Sequence, residues 1–489
     1  MTAGGNRRAV VLGAGVAGLL AGRVLADTYR EVLIVDRDQL DDTDAPRRAV
    51  PQGHHIHGLL ASGHQIIESM FPGITEELAS DGVPVGDFGT SLGWYFDGRM
   101  MRRTRTGLVC VSASRPVLEQ RLRRRVRVLP NVTLAERTDI LGLLTAPDRL
   151  RVTGVHLQSR DTNSAVRSVE ADLVVDATGR GSRAPMWFAD LGLPRVPEER
   201  IKIDLTYTTC HFRGPLDPDP IGDGIAEVCV ATVGHPRGAT LARLADRYSL
   251  SLYGILGDRP PTDLAGFLDF AAGLPLPTIH QAVCNATPMG DPVSFHFPAS
   301  VRRRYEKVRN PPAGLLVLGD AACAFNPVYA QGMTVAALGA EVLSRHVGAR
   351  QEPEPRRFFR DLARVNDAPW ALAAGGDLGF PGTEGKRTLA VRMANTYMSR
   401  LRPAAVHDST LTRAFLRVAG LVDPPTAIMR PQVLRRVLFG GARTKSAGEP
   451  ELVEHPTGPT GIVGGPERRG GGRPNQDESG PGIRWDEAS

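Results

Sequence analysis

Short apolar runs of strand length alternate with helical patterns at the start of the chain. Ala9–Leu12 and Val32–Val35 predict buried strands, and the helical periodicity between them predicts a helix over Val16–Ala26. A strand, a helix and a second strand in this order form a βαβ unit with parallel strands. The pattern therefore predicts an α/β body that opens with a Rossmann-like unit.

The pattern divides the chain into four expected regions. Residues 1–199 and 300–350 alternate strands with helices and predict one discontinuous Rossmann-like domain, whereas residues 200–299 predict a mixed-sheet substrate domain. Residues 351–446 are mainly helical in pattern, and residues 447–489, with 10 Gly and 6 Pro in 43 positions, predict a disordered tail. The other predicted elements are helices over Leu59–Met70, Pro116–Val126 (capped by Ser114), Leu264–Ala272 and Met333–Val347, and strands over Val152–Leu157, Val169–Val175 and Leu315–Leu318.

Composition excludes several classes of function. The net charge is +6, but only four of the 59 basic residues are lysine, and the arginine clusters are not interleaved with aromatic residues, so no nucleic-acid partner is expected. No apolar run reaches about 18 residues, so no membrane span is expected either. The five cysteines form no CxxC pair, which disfavours a zinc module and a disulfide scaffold. A bacterial cytoplasmic protein is expected.

A glycine motif follows the first strand and opens the first helix. In Gly13-Ala-Gly15-Val-Ala-Gly18, the glycines permit a tight turn, the approach of a pyrophosphate, and close helix–strand packing. The helix N-terminus offers amide groups to phosphates. Asp36 ends the second strand at the spacing of an acid that binds ribose hydroxyls. The motif predicts FAD or NAD rather than NADP.

A second motif favours FAD over NAD. The strand Leu315–Leu318 ends in Gly319-Asp320, and Gly332-Met333 opens the next predicted helix. A carboxylate at a strand end can accept hydrogen bonds from a ribityl chain, and the N-terminus of a helix suits an electron-rich ring edge. Taken alone, the motif also fits an ordinary strand–turn–helix crossover.

A third motif completes a resemblance to a known family. With Asp176-Ala-Thr-Gly-Arg-Gly-Ser-Arg183, the chain resembles flavoprotein monooxygenases of the para-hydroxybenzoate hydroxylase fold over residues 1–350. Three finer segments, Val50–His57, Ser114–Pro116 and Ala324–Met333, resemble bacterial FAD epoxidases that act on polyether-antibiotic precursors. Squalene epoxidase is a more distant relative of that group.

The resemblance implies a set of site residues. No protein side chain is expected to be the catalyst, because the flavin carries the chemistry. His54-His55-x-His57 lacks acidic or cysteine partners, so no metal is expected. The loop either hydrogen-bonds the cofactor, a role assigned to His55, or makes structural hydrogen bonds. The walls of the substrate pocket are assigned to His57, Trp370 and Phe380. The implied FAD-binding residues are Gly13, Gly15, Val16, Ala17, Gly18, Asp36, Arg37, His55, Arg115, Asp320, Pro327, Gly332 and Met333.

These roles predict an FAD-dependent monooxygenase of specialised metabolism, such as antibiotic biosynthesis. It would epoxidise an alkene of an apolar polyketide- or isoprenoid-like substrate with molecular oxygen, through a flavin C4a-hydroperoxide. Electrons would come from NAD(P)H or from reduced flavin supplied by a partner reductase. The alternatives are an aromatic or polyketide hydroxylase, and an FAD-dependent double-bond reductase or cyclase.

Two features bear on rival functions of the same fold. Cys323 and Met333-Thr334 stand where aromatic hydroxylases of this fold usually have His and Leu-Asn, which weakens the hydroxylase alternative. A flavin halogenase is disfavoured because the chain has no Trp-x-Trp and no lysine before Lys202.

Overall fold

A computed structural model describes residues 7–161, 164–348 and 352–439, so the predicted tail 447–489 lies outside the described residues. The strands, in chain order, are β1 Arg8–Leu12, β2 Glu31–Val35, β3 Val85–Asp87, β4 Leu92–Phe96, β5 Arg99–Met100, β6 Val109–Val111, β7 Val132–Ala135, β8 Thr138–Thr145, β9 Val152–Ser159, β10 Arg167–Glu170, β11 Leu173–Asp176, β12 Glu198–Phe212, β13 Ala226–Val230, β14 Arg237–Arg243, β15 Tyr248–Gly254, β16 Val293–Arg303, β17 Leu315–Val317 and β18 Cys323–Ala324. The α-helices are α1 Val16–Ala26, α2 Ala61–Met70, α3 Ile74–Ser80, α4 Arg115–Arg127, α5 Ala184–Asp190, α6 Leu264–Ala272, α7 Pro277–Val283, α8 Gly332–His346, α9 Pro355–Asp377, α10 Leu389–Ala405, α11 Ser409–Ala419 and α12 Pro431–Phe439.

A five-stranded parallel sheet forms the Rossmann-like part. Its order is β17-β11-β1-β2-β7, so the first strand lies at the centre and the late strand β17 at one edge. Helix α1 packs against α4 and α8, and its buried leucines and alanines join the core of the sheet. The predicted α/β class and the opening βαβ unit are confirmed.

A mixed eight-stranded sheet forms the second layer. Its order is β18-β16-β12-β15-β14-β13-β4-β5, and its pairs are antiparallel except for β13 with β4. Helices α6 and α7 cover one face, where Phe212, Leu250 and Phe267 are buried together. Strands β4 and β5 come from the first hundred residues, within the predicted domain 1–199, so the second layer is not confined to residues 200–299.

One predicted strand is two strands in different sheets. Residues 167–170 pair antiparallel with β9, whereas residues 173–176 pair parallel with β1 and β17. The chain changes partners at Ala171-Asp172, where the Asp172 carboxylate accepts a 2.8 Å hydrogen bond from the Arg8 amide. The prediction of one strand over Val169–Val175 is therefore wrong, because continuous apolar character does not reveal a change of partner.

The helices α9 to α12 make up most of residues 352–439. Helix α9 packs on α8, and α11 places Leu416 in an apolar cluster that also includes residues of the eight-stranded sheet. Within the described residues, no helix has the length and apolar character needed to cross a bilayer.

Candidate active site

The glycine motif forms a turn that tolerates side chains at only one of its three glycines. Gly13 has φ +96°, and a Cβ there would lie 2.7 Å from the Ala177 carbonyl oxygen. A Cβ on Gly18 would lie 1.8 Å from the Gly13 oxygen, whereas the nearest atom to a Cβ on Gly15 is Arg115 Nη2 at 3.8 Å. Gly13 and Gly18 therefore make the turn, and Gly15 leaves its backbone open to a ligand.

The N-terminus of α1 lies beside the second predicted motif. Among the described residues, no side chain caps this helix. The amides of its first turn, including those of Val16 and Ala17, therefore stay available to a ligand. A Cβ on Gly319 would be 2.8 Å from the Ala17 Cβ, which shows how closely the two turns approach. The fold thus brings together two segments about 300 residues apart in sequence.

Asp36 is held in a buried network at the end of β2. Its carboxylate accepts hydrogen bonds from the amides of Ala14 (2.7 Å) and Asp38 (2.9 Å), and lies 3.3 Å from Arg47 Nη1. Arg47 also donates a 2.7 Å hydrogen bond to Glu119. Burial disfavours the charged form of Arg47, but the nearby carboxylates, led by Glu119, outweigh it and raise its pKa. Sequence reasoning missed Arg47 and Glu119, although Glu119 lies one helical turn after Arg115.

Arg115 lies between the glycine turn and Asp320. Its guanidinium is near Gly15 and makes a 3.4 Å hydrogen bond with Glu119. Burial raises the pKa of Asp320, and the charges of Arg115, Arg180 and Arg303 oppose that rise. Asp320 Oδ1 is 3.7 Å from the position of a Cβ on Gly332, the first residue of α8. The structure therefore gathers Gly15, Arg115, Asp320 and Gly332 along one path.

The segment before α8 forms a tight single turn. Pro327 begins a 3₁₀ turn that ends at Tyr329, and Ala330 follows in the left-handed conformation with φ +54°. A Cβ on Gly58 would lie 2.8 Å from the Ala330 Cβ, so the loop 54–58 touches this turn. Met333 is buried at 6% exposure in the core of the parallel sheet.

The histidines of the 54–57 loop have different surroundings. His55 Nδ1 lies 2.8 Å from Thr209 Oγ1, and its ring packs edge-on to Tyr207 at 4.4 Å. Burial, with smaller contributions from His54 and His211, lowers the pKa of His55 to about 3. His55 thus faces the eight-stranded sheet rather than the glycine turn.

His57, in the same loop, feels the charge of Arg115. Its Nδ1 is 3.0 Å from the His55 carbonyl oxygen. Burial and the charge of Arg115 lower the pKa of His57 to about 3, which keeps the imidazole neutral. Within the part of the chain that the structure describes, no cluster of His, Cys, Asp or Glu has the makings of a metal site.

The remaining predicted residues are more scattered. Trp370 packs edge-on to Phe325 at 6.2 Å, behind the turn that precedes α8. Phe380 and Val328 both pack against the cluster that includes Tyr207. Arg37 is exposed, and among the described residues only its carbonyl oxygen takes part in a hydrogen bond, which it accepts from Arg160 at 3.5 Å. The structure does not bring Trp370 or Arg37 into the path from Gly15 to Gly332.

An apolar cluster adjoins the 54–58 loop and the turn before α8. Its members include residues of the 54–58 loop, the turn before α8, the eight-stranded sheet and α11. Sequence reasoning missed them because an apolar side chain shows its partners only in the folded chain. The members used below are Ile56, Trp94, Ala330, Phe415 and Leu416.

A cavity of about 180 Å³ adjoins the 54–57 loop. It is lined by His54, His55, Ile56, His57, His211 and Arg247, among others. Because His55 and Ile56 also pack toward the sheet and the apolar cluster, the cavity and the cluster share a wall.

Comparison with solved structures identifies the class of protein that has this architecture. Flavin-dependent halogenases and monooxygenases share the fold. The flavin-dependent brominase Bmp2 matches with a TM-score of 0.61 at 16% identity, over 90% of this chain and 99% of the brominase. The Diels-Alderase PyrE3 of pyrroindomycin biosynthesis matches with a TM-score of 0.57 at 16% identity, over 85% of this chain and 81% of that enzyme. These identities establish the fold alone.

Sequence relatives establish the family. Protein Rv3254 of Mycobacterium tuberculosis is 35% identical over 462 residues, which cover 89% of this chain and 94% of the relative. The chain belongs to the family of Protein Rv3254. Squalene epoxidase erg1 of Schizosaccharomyces pombe is 24% identical over 387 residues, which cover 74% of this chain and 73% of the epoxidase. No protein-family profile matches the chain.

Proposed function

We propose that the protein binds FAD along the path from Asp36 to Gly332. The open backbone at Gly15 and the uncapped start of α1 suit the pyrophosphate, and Arg115 beside them supplies a cation. The Asp36 carboxylate would accept hydrogen bonds from the adenosine ribose, and the Asp320 carboxylate would accept them from the ribityl chain. Because Gly13 and Gly18 exclude any Cβ, the turn has the shape that close approach of a phosphate requires.

The α8 end of this path suits the flavin ring. The amides of Gly332 and Met333 stand at the N-terminus of a 15-residue helix, which stabilises negative charge. Pro327 and its turn would border the ring, and neutral His57 would lie on its protein-facing side. Arg37 makes no contact with the other described residues of this path that would support the cofactor role assigned from the sequence.

We propose that the reaction is oxygen transfer to an alkene of an apolar substrate, with epoxidation as the specific outcome. FAD, when bound, supplies the redox chemistry that activates molecular oxygen. The observation that carries the proposal is the apolar cluster formed by Ile56, Trp94, Ala330 and Phe415, because Ile56 and Ala330 come from the two loops beside the flavin end. Such walls exclude water and bind apolar groups. The relation to a squalene epoxidase agrees with this substrate class.

His55 is then a substrate-side residue, and His57 a cofactor-side residue. His55 contacts Thr209 and Tyr207 on the open face of the sheet, and its neutral ring can hydrogen-bond an uncharged substrate oxygen. Phe380 supports that wall through Val328 and Tyr207, whereas Trp370 supports the turn before α8 from behind. This exchanges the roles that the sequence assigned to the two histidines.

The electron donor is proposed to be NAD(P)H or a reduced flavin from a separate reductase. The experiment that tests the main proposal uses protein purified with FAD and chemically reduced without oxygen. It is then mixed with ¹⁸O₂ and an apolar polyene such as squalene. Mass spectrometry should show one ¹⁸O atom in an epoxide. Product without the label would exclude oxygen transfer, and a protein that takes up no FAD would exclude the cofactor assignment.

A second candidate is FAD-dependent chemistry without oxygen insertion, such as a reductase or a cyclase. The match to the Diels-Alderase PyrE3 favours it, because that enzyme has this fold. Conversion of an olefinic substrate under argon, with no oxygen consumed in air, would support this candidate and contradict the oxygenase. A hydroxylated product that carries ¹⁸O would instead support the aromatic or polyketide hydroxylase alternative.

A further inference from the structure

Helix α9 ends at a buried carboxyl group. Asp377 is its last residue and is 1% exposed. The C-terminus of a helix carries partial negative charge, so an ionised carboxylate is doubly disfavoured there, by the dipole and by burial. Burial raises the pKa of Asp377 to about 7, against the opposing effects of Asn326 and Tyr329.

Asn326 connects this carboxyl group to the start of the turn before α8. Its Nδ2 donates a 2.9 Å hydrogen bond to Asp377 Oδ1, while its own Oδ1 accepts one from the Val328 amide at 3.0 Å. The backbone amide of Asn326 donates a third hydrogen bond, 2.9 Å long, to Ser300 Oγ. Asn326 therefore fixes the beginning of the turn to the end of α9 through its side chain, and to β16 through its backbone.

Tyr329 provides a second connection. Its hydroxyl group faces the Asp377 carboxyl, whose Oδ2 is buried and has no hydrogen bond of good geometry within the described residues. The same hydroxyl lies against Gly376, where a Cβ would approach it to 2.2 Å, whereas a Cβ on neighbouring Gly375 would meet nothing within 4 Å. Because Gly376 has no Cβ, it leaves the space that the Tyr329 hydroxyl group occupies.

The turn before α8 contains a strained residue that its neighbours must hold in place. Ala330 adopts φ +54°, a conformation that costs free energy for a residue with a Cβ and persists only when neighbours hold it. Two residues later, Gly332 begins α8 beside Asp320. A change in the turn therefore changes the direction of the first amides of α8.

We propose that Asp377 is a positioning residue for the flavin site, which fixes the segment 326–331 through Asn326 and Tyr329 and so sets the direction of the Gly332 and Met333 amides. The functional part of this inference rests on the proposed binding of FAD. The anchor itself does not, because it is made of the chain's own residues.

The anchor has two protonation states with different hydrogen bonding. The neutral acid accepts from Asn326 and can donate toward Tyr329, whereas the carboxylate only accepts. Asn326 and Tyr329 are the polar groups that face Asp377, and Arg402 of α10 and Asp97 lie beyond Tyr329. The position of the amides, and with it the reduction potential of a bound flavin, is therefore expected to depend on pH between about 6 and 8.

Two pairs of variants test the proposal. Gly376→Ala displaces Tyr329, and Gly375→Ala is its matched control on the same helix turn. Asp377→Ala removes both connections, whereas Asp377→Asn retains them, because its amide can accept from Asn326 and donate toward Tyr329. Amide hydrogen exchange of residues 326–333 is measured without added cofactor, and the flavin reduction potential is measured from pH 6 to 8 in FAD-loaded protein.

We expect exchange to accelerate at least roughly tenfold in Gly376→Ala and Asp377→Ala, and the flavin potential to shift in both. Gly375→Ala should match the parent in both measurements. Asp377→Asn should keep the protection from exchange, while its flavin potential loses the extra pH dependence.

Folded Gly376→Ala and Asp377→Ala proteins with parental exchange and potential would overturn the proposal. If Asp377→Ala does not fold, the exchange rates and potentials of Gly376→Ala and Asp377→Asn decide whether the proposal holds. If the parent binds no FAD, the proposed function fails, and the exchange data still decide whether the anchor exists.

Discussion

A Cβ on Gly18 would stand 1.8 Å from the carbonyl oxygen of Gly13, so the two glycines lie in contact through their backbones. Gly15, between them in sequence, has no such contact and faces outward toward Arg115. The motif therefore separates residues that build the turn from one that leaves room for a ligand.

Gly15→Ala and Gly18→Ala should differ in what they damage. Gly18→Ala should lower the free energy of unfolding by at least about 2 kcal/mol, because backbone cannot yield to the new Cβ. Gly15→Ala should change it by less than about 0.5 kcal/mol yet weaken FAD binding at least about tenfold, because its Cβ enters the ligand's space. Urea unfolding and fluorescence titration with FAD measure the two effects. Gly142→Ala, which meets nothing within 4 Å, is the control. Parental FAD affinity in Gly15→Ala would contradict the pyrophosphate assignment.

Asp320→Ala should release the cofactor. Loss of a charge-assisted hydrogen bond to the ribityl chain weakens FAD binding by about tenfold to a hundredfold. Equilibrium dialysis of the purified variants gives the affinity directly. Asp190→Ala, at an exposed acid at the end of α5, should bind FAD as the parent does. An Asp320→Ala protein that still purifies with its full complement of FAD would refute the role of Asp320.

Arg115→Gln should change both FAD binding and the titration of His57. The Arg115 charge is one of the causes that lower the pKa of His57, so its removal should raise that pKa from about 3 toward the ordinary value. Heteronuclear NMR of labelled histidine in cofactor-free protein measures the shift. Arg124→Gln, on an exposed face of α4, should leave His57 unchanged. An unchanged His57 pKa in Arg115→Gln would mean that the guanidinium is not directed into the site.

The buried histidines should make the protein sensitive to mild acid. The pKa of His55 falls to about 3 and that of His211 to about 4, in both cases chiefly through burial. Between those values and about 6.5 the unfolded chain binds more protons than the folded one, so stability is complete above about pH 6.5 and is lost as the pH falls.

The effect of each histidine between pH 6.5 and 5 should be about 1.6 kcal/mol. His55→Gln should therefore lose less unfolding free energy than the parent over that range, as measured by urea unfolding at the two pH values. His280→Gln, on the helix that covers the other face of the sheet, is the control. Equal pH dependence in the parent and His55→Gln would show that His55 titrates normally.

The sequence predicts best where one local rule determines the structure. The bounds of α1 and α6 match their predictions, and Ser114 caps α4 by accepting a hydrogen bond from the Val117 amide at 3.4 Å. The order of the glycine, Asp36 and Gly319-Asp320 motifs also indicated which segments would meet, because each motif ends a strand of one parallel sheet.

Long-range pairing could not be predicted in the same way. Val169–Val175 has the same apolar character throughout, yet its halves join different sheets. Leu92–Phe96 predicts no partner, and only the folded chain shows that it pairs with β13, more than a hundred residues away. The orientation of His55 toward Thr209 and Tyr207 has a similar cause, because the sequence of a loop does not show which sheet each of its side chains contacts.

The position of β17 in the parallel sheet has a consequence for synthesis on the ribosome. The strand pairs with β11, two places from the central β1, although about 300 residues of chain separate β17 from the N-terminus. The nascent chain can form β1, α1 and β2 early, but their sheet stays open at one edge until β17 and α8 leave the exit tunnel. A growing chain therefore carries exposed apolar strand edges for most of its translation, a state in which chaperones bind and aggregation starts.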